Sequence, residues 1–271
     1  MTDLHVDAFG AGTPALFVHG SMSRGLDTFP EQQQRADQYK VMLIDRRGFG
    51  GSPPTKRADY EVDAQDVVDV LADGSHLVGQ SYGAVVGLLA ASRRPESVLS
   101  LTLIEPFAWV DDEAARAYHA RLVHVVSQTA ELALRSSGVE WARAGGRRDI
   151  ELPAFTQSDL AAITTTMRER TPWGAEIPLA PVASAAFPKL VCLGGRSDAD
   201  PNVKRTAGRA YAALCRAIAE RIGADLQVFE HSSHNPQIEE APAFNQRLRK
   251  LWGKSAGSAI SSTPSAAQPN H

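Results

Sequence analysis

The stretch HLVGQSYGAVVG, residues 76–87, sets Ser81 between two glycines, directly after a short apolar run and directly before a helix-forming one. This is a Gly-x-Ser-x-Gly pattern in the strand, turn and helix context that its chemistry requires. Gly79 and Gly83 leave room for a sharp, strained turn that lifts the serine hydroxyl over the sheet edge. The same turn aims the backbone N–H of Tyr82, at the start of the following helix, toward an oxyanion forming on a substrate. A serine hydroxyl attacks a carbonyl well only when a base takes its proton. HSSHNPQIEEAPAFNQRLRKLW offers His231 and His234 in a loop after the last apolar run. His234 lies deeper in that loop and is the expected base, and His231 reads as a polar surface residue. The base in turn needs an acid that fixes its tautomer and stabilises the imidazolium. Asp198 in GGRSDADP and Glu105 at the end of LTLIE compete for this role, with Asp200 a weaker third.

These residues need a scaffold that brings distant loops to one edge. Short runs rich in valine, leucine and isoleucine recur at 15–20, 41–45, 76–80, 101–105, 189–195 and 226–230 and read as strands buried on both faces. Longer helical patterns separate them, such as SYGAVVGLLAASRRPESV, where Pro95 marks the helix stop. Strand, helix, strand in succession predicts an α/β fold with a doubly wound, mostly parallel sheet. From about Phe107 to Phe187 the rhythm changes to helical patterns alone, including DDEAARAYHARLVHVVSQTAELALRSS and SDLAAITTTMRERT. That segment, 107–186, is expected to form a helical lid at the sheet edge where doubly wound proteins bind ligands, between core segments 1–106 and 187–253. Residues 254–271 are small, polar and aperiodic and read as a disordered tail.

Composition narrows the class. The chain has 271 residues, is 43% hydrophobic and 22% charged, and carries a formal net charge of -3, so it can bury a large core and shows no basic footprint for nucleic acid. No apolar run approaches the roughly 20 residues of a membrane span, and the N-terminus lacks a secretory pattern, which predicts a cytoplasmic protein. Cys192 and Cys215 have no zinc or redox spacing and read as buried thiols. A small, weakly charged substrate is expected, with no nucleic-acid or membrane partner, and the protein as a monomer or homodimer.

Over residues 4–253 the chain resembles the α/β-hydrolase superfamily. The resemblance rests on GQSYG, on VHGS at 18–21, similar to the family's His-Gly oxyanion motif, and on DRRGFGGS at 45–52, similar to its Asp-x-Arg-Gly-x-Gly-x-Ser signature. It implies that the backbone N–H of Ser21 joins that of Tyr82 in an oxyanion hole, with Met22 as a pocket wall. Asp45, Arg46, Gly48, Gly50 and Ser52 would be scaffold residues. The family order of nucleophile, acid and histidine is met by Ser81, then Asp198 or Glu105, then His234. Most members place the acid after the penultimate strand, which points to Asp198. Some haloalkane dehalogenases place it after the sixth strand, where Glu105 stands. RTPWGAEIPLAPVASAAFPKLV and LTLIEP are similar to a poorly characterised bacterial branch.

A serine at the elbow, where epoxide hydrolases and haloalkane dehalogenases have aspartate, leaves acyl chemistry. The expected enzyme is a serine hydrolase acting on an ester, thioester or lactone of a small, largely apolar molecule, with no metal or cofactor. The alternatives on this scaffold are cofactor-free peroxidase chemistry, carbon–carbon bond hydrolysis, cyanohydrin cleavage, a proline iminopeptidase-like activity using Glu140, Glu151 or Glu169, or a ligand sensor with little turnover. Trp109, Trp141 and Trp173 read as packing residues of the lid, and GRRD at 146–149 as a solvated face.

Overall fold

A computed structural model describes residues 3–71, 74–108, 156–199 and 208–260, together with positions 113, 116 and 201. Seven strands make one sheet: β1 (Val6–Phe9), β2 (Thr13–Val18), β3 (Tyr39–Ile44), β4 (Ser75–Gln80), β5 (Val98–Ile104), β6 (Lys189–Gly194) and β7 (Asp225–Phe229). Their order is β1-β3-β2-β4-β5-β6-β7, with β1 antiparallel to β3 and every other pairing parallel. The antiparallel edge strand β1 lies outside the apolar runs that predict strands. It is four residues long and only half-buried, so it lacks the continuous apolar signature of its neighbours.

Helices α1 (Tyr60–Val70), α2 (Tyr82–Arg93), α3 (Gln157–Thr166), α4 (Arg209–Ile222) and α5 (Ala241–Ile260) follow in chain order. In α2 every residue from Tyr82 to Ser92 is buried, as expected of a helix apolar all round and enclosed by the sheet and its neighbours. It ends at Arg93, and Pro95 opens a short 3-10 turn there. One core cluster holds Tyr60, Val67, Leu88, Leu214 and Ile218 of α1, α2 and α4. A second holds Phe17, Phe29, Phe244, Leu248 and Trp252. Phe244, Leu248, Leu251 and Trp252 recur at helical spacing and give α5 a single buried stripe. Each such side chain contributes roughly 1.5–3 kcal/mol by leaving water.

Two expectations need adjustment. Helix α5 runs through Ile260, seven residues into the stretch 254–271 read as an aperiodic tail. Once a helix is nucleated on a packed stripe, adding alanine and other helix-compatible residues costs little. Within 107–186, a helical turn at Leu179–Ser184 buries Val182 in the first core cluster, so the return end of the insertion packs against α2 and α4. Most of the expected lid, including Trp109, Trp141 and GRRD, lies outside the described residues, as does Asp200.

Register sets up the site. Gln80 pairs with Ile104, so the next residues, Ser81 and Glu105, leave adjacent strands side by side. Ile104 pairs with Cys192 and Gly194 with Phe229, which brings the loops after β6 and β7 to the same edge. Val18 pairs with Gly79, and the segment His19–Met22 therefore leaves β2 next to the Ser81 turn.

Candidate active site

Ser81 has φ 54° and ψ -115°, a conformation that side chains with a Cβ rarely adopt. Its N–H donates to the Ile104 carbonyl at 2.8 Å, which ties the turn to β5. Both glycines of GQSYG are sterically required. A Cβ at Gly79 would stand 2.3 Å from the Gly83 carbonyl oxygen, and one at Gly83 would stand 2.2 Å from that of Val18. Such strain persists only where the surroundings over-determine it, which is a mark of functional turns.

His234 Nδ1 lies 3.0 Å from Glu105 Oε2. The loop carrying His234 is held against β4 by the Gln80 amide, which donates to the His234 carbonyl at 3.4 Å and to Asn235 Oδ1 at 3.1 Å. Glu105 is fully buried and itself has a positive φ of 45°. Its Oε1 accepts from the Gly194 N–H at 2.8 Å and from Arg196 Nη1 at 3.0 Å, and Oε2 accepts from Arg196 Nη2 at 2.5 Å. Burial pushes this carboxyl up, but the hydrogen bonds from His234 and Arg196 outweigh it, and Glu105 sits below its usual range. Arg196 is buried in turn, with its guanidinium over the Tyr211 ring, 4.9 Å from the centroid, and Tyr211 stacks obliquely on His234 at 5.3 Å.

Asp198 is elsewhere. Its carboxylate meets His231 Nδ1 at 3.1 Å, and both side chains are more than two-thirds exposed. The structure thus brings Glu105, and not Asp198, to His234. The turn GGRSD sends Arg196 inward and Asp198 outward, because Arg196, at φ 56°, reverses the chain before Asp198 is reached.

The loop after β2 is equally well held. His19 is buried, and burial together with the nearby Arg46 charge keeps its imidazole neutral. Its Nε2 accepts the Arg46 backbone N–H at 3.0 Å, so Nδ1 carries the proton and donates to the Gly20 carbonyl at 2.7 Å. Met22 has φ 64° and gives its N–H to Thr166 Oγ1 at 2.8 Å. Ser21 Oγ donates to Glu169 Oε2 at 2.5 Å.

Asp45 organises the next loop by accepting the N–H groups of Gly25 and Gly51, each at 2.9 Å, while Ser52 Oγ donates back to the Asp45 carbonyl. Gly50 allows this approach, since a Cβ there would overlap the Asp45 carboxylate. Gly48 is pressed against Thr165 of α3. Arg46 is buried between the Phe49 and Tyr82 rings and forks onto Asp63 and Glu169 at 2.8 and 2.6 Å. Burial pushes the Asp63 carboxyl up to about 6 against the pull of Arg46. Among the described residues, no group of three or more His, Cys, Asp or Glu side chains is arranged to hold a metal ion.

The sequence model of the Alpha/beta hydrolase family matches residues 15–247. The chain belongs to the alpha/beta hydrolase family. A pimeloyl-[acyl-carrier protein] methyl ester esterase of Aeromonas salmonicida is 31% identical over 151 residues, covering 51% of this chain and 59% of that relative. The chain thus aligns with less than two thirds of that relative's length. The esterase of the same name from Pseudoalteromonas atlantica is 26% identical over 257 residues, 90% of this alpha/beta hydrolase and 95% of that protein. Among solved structures, MenH from S. aureus superposes with a TM-score of 0.70 at 17% identity, over 94% of this chain and all of that one, a likeness of fold.

Three parts of this alpha/beta hydrolase site were not read from sequence. Arg196 carried no signal, since an arginine in a polar loop reads as solvated. Gln80 looked like the last residue of a strand and nothing more. Glu169 was visible only as one of several lid carboxylates. Among the described helices none is long and apolar enough to cross a membrane.

Proposed function

We propose that this protein is a serine hydrolase that cleaves an ester, thioester or lactone of a small, largely apolar molecule through an acyl-enzyme. The observation that carries the reading is the contact of His234 Nδ1 with the buried Glu105 carboxylate, on the sheet edge that also holds the strained Ser81 turn. Glu105 fixes the proton on Nδ1, which leaves Nε2 as the basic nitrogen. Nε2 takes the Ser81 hydroxyl proton while Oγ bonds to the substrate carbonyl carbon. The Ser21 and Tyr82 N–H groups receive the oxyanion. Collapse of the tetrahedral intermediate expels the alcohol or thiol, which takes the proton from the imidazolium. Water, deprotonated by the same nitrogen, then adds to the acyl carbon; the bond to Ser81 Oγ breaks, the acid leaves, and the imidazolium returns its proton to Oγ.

The esterase relatives support acyl-ester substrates. Cys192 and Cys215, both free and buried, fit action in the reducing cytoplasm. The carboxylate of Glu169 is engaged by Arg46 and Ser21, which counts against an aminopeptidase reading in which it holds a substrate ammonium.

Intact mass after incubation with a fluorophosphonate tests the proposal. One adduct is expected on the wild type and none on Ser81→Ala or His234→Ala. An adduct that survives Ser81→Ala would sink the assignment, as would the lack of any adduct on the wild type.

A further inference from the structure

Arg46 is buried directly beneath the loop that carries Ser21, and nearly all its donors are used. Nε donates to the His19 carbonyl at 3.1 Å, Nη1 to Asp63 Oδ2 at 2.8 Å, and Nη2 both to the Gly20 carbonyl at 3.0 Å and to Glu169 Oε1 at 2.6 Å. The Gly20 carbonyl and the Ser21 N–H belong to one planar trans peptide, so they point in opposite directions. Fixing the carbonyl fixes the aim of the N–H. The carbonyl receives two donors, His19 Nδ1 and Arg46 Nη2, both on buried side chains. The face of the guanidinium also packs on the ring of Tyr82, 4.2 Å from the centroid, and Tyr82 supplies the other oxyanion donor of the proposed site.

Glu169 grips this arrangement from the return end of the insertion. Oε1 holds Arg46, and Oε2 accepts the hydroxyl of Ser21 itself. Three residues earlier, Thr166 Oγ1 accepts the Met22 N–H at 2.8 Å, so the same segment holds both residues that follow the Gly20 carbonyl, while Arg46 links it to the carbonyl itself. Charged hydrogen bonds of this kind, in a site shielded from water, are about twice as strong as neutral ones and geometrically restrictive.

We infer that Glu169 is a positioning residue that sets the aim of the Ser21 N–H through Arg46, coupling the seating of the insertion's return segment to the strength of the oxyanion hole. The inference rests on the oxyanion-hole reading above. An enzyme whose insertion lifted at Glu169 would keep its nucleophile and base while losing stabilisation of the tetrahedral intermediate.

The test compares wild type with Glu169→Gln, Arg46→Lys and the double variant in steady-state hydrolysis of p-nitrophenyl butyrate, with phenylboronic acid inhibition and thermal melting in parallel. Losing one oxyanion donor costs on the order of 10²–10³ in rate, so misaiming one should cost about tenfold to hundredfold in kcat. KM should stay within about threefold, and phenylboronic acid, a tetrahedral mimic, should weaken by about the same factor as kcat falls. Lysine keeps a cation beside both carboxylates but cannot also fork onto the Gly20 carbonyl, so Arg46→Lys should match Glu169→Gln, and the double variant should lose no more than the worse single one. Arg170→Gln, which removes the adjacent ion pair with Asp59, should leave kcat within about twofold and so separates aiming from general loosening of the segment. Glu169→Gln with wild-type kcat overturns the inference while leaving Ser81 labelling by fluorophosphonate intact, and so do losses that multiply in the double variant or an equal loss in Arg170→Gln. Should Glu169→Gln fail to fold, Arg46→Lys decides alone, with unchanged boronate affinity as the overturning result. A wild type that takes no fluorophosphonate removes the parent reading and the inference together.

Discussion

Two histidine–carboxylate pairs stand close together on this sheet edge with nearly equal contact distances, 3.0 Å for His234 with Glu105 and 3.1 Å for His231 with Asp198. Their surroundings differ in every other respect. His234 is about one-third exposed and Glu105 not at all, whereas His231 and Asp198 are 71% and 72% exposed. Glu105 has three further charged or backbone hydrogen bonds, and the strand register presents it beside Ser81. Distance alone therefore does not distinguish the two pairs. In water two charges at this separation attract weakly and side-chain entropy opposes the contact, while the same pair in a buried, pre-formed cradle holds one tautomer and one ring orientation.

Rate should separate the two pairs most steeply. His234→Ala should lower kcat for p-nitrophenyl butyrate by on the order of 10⁶, as removal of a triad base does, while His231→Ala stays within about twofold. Next in size, Glu105→Gln should cost on the order of 10⁴, because an amide can hold the ring in the wrong tautomer, and Asp198→Asn should cost about twofold or less. If Asp198→Asn is the damaging change, the acid belongs to the loop after β6 and the buried carboxylate is merely structural.

Stability separates the pairs less steeply. Arg196→Met leaves the buried Glu105 charge with one cationic partner fewer, and breaking a buried pair from one side costs about 3–5 kcal/mol. For a chain of this size that is a fall in Tm on the order of 10 °C, measurable by calorimetry. Glu105 also has a pH signature. Its folded-state pKa lies below the ordinary value of 4.5 because of His234 and Arg196, against the opposing effect of burial. The folded state therefore binds this proton less readily than the unfolded chain, and the stabilisation is complete above about pH 4.5 and is lost as pH falls through the lower, folded-state value. Melting curves from pH 7 to pH 3 should show a steeper acid decline in wild type than in Glu105→Gln; equal declines would mean that the carboxylate is not held as its contacts indicate.

Much of this was legible in the chain, and the illegible part has a common cause. The central strands announced themselves as continuous apolar runs, and GQSYG showed both the turn and the reason for its glycines. His234 was favoured over His231 from depth in the loop. The acid was not resolved, because LTLIE and GGRSDADP each end an apolar run with a carboxylate at the same sheet edge. What distinguishes them is the backbone reversal at Arg196 and the left-handed conformation of Glu105. Both are set by tertiary packing and leave no periodic trace. Glu169 was hidden for a related reason, since its partners Arg46 and Ser21 are more than a hundred residues away in sequence.

The smallest expected effect is the most informative about why the exposed pair exists at all. His231 Nδ1 donates to Asp198 Oδ2 and lies 3.1 Å from Ser197 Oγ, and its backbone N–H is capped by Glu240 at 3.0 Å, so the loop keeps an anchor when the carboxylate is removed. Asp198→Asn should therefore change stability by less than about 1 kcal/mol, the ordinary range for surface ion pairs, and the difference should vanish in 1 M salt, where charges more than about 3 Å apart are screened. The buried Glu105 cradle is shielded from that salt, so the destabilisation caused by Arg196→Met should persist in the same buffer. If both variants respond to salt alike, water reaches the Glu105 site freely, and the distinction drawn between the two pairs fails at its root.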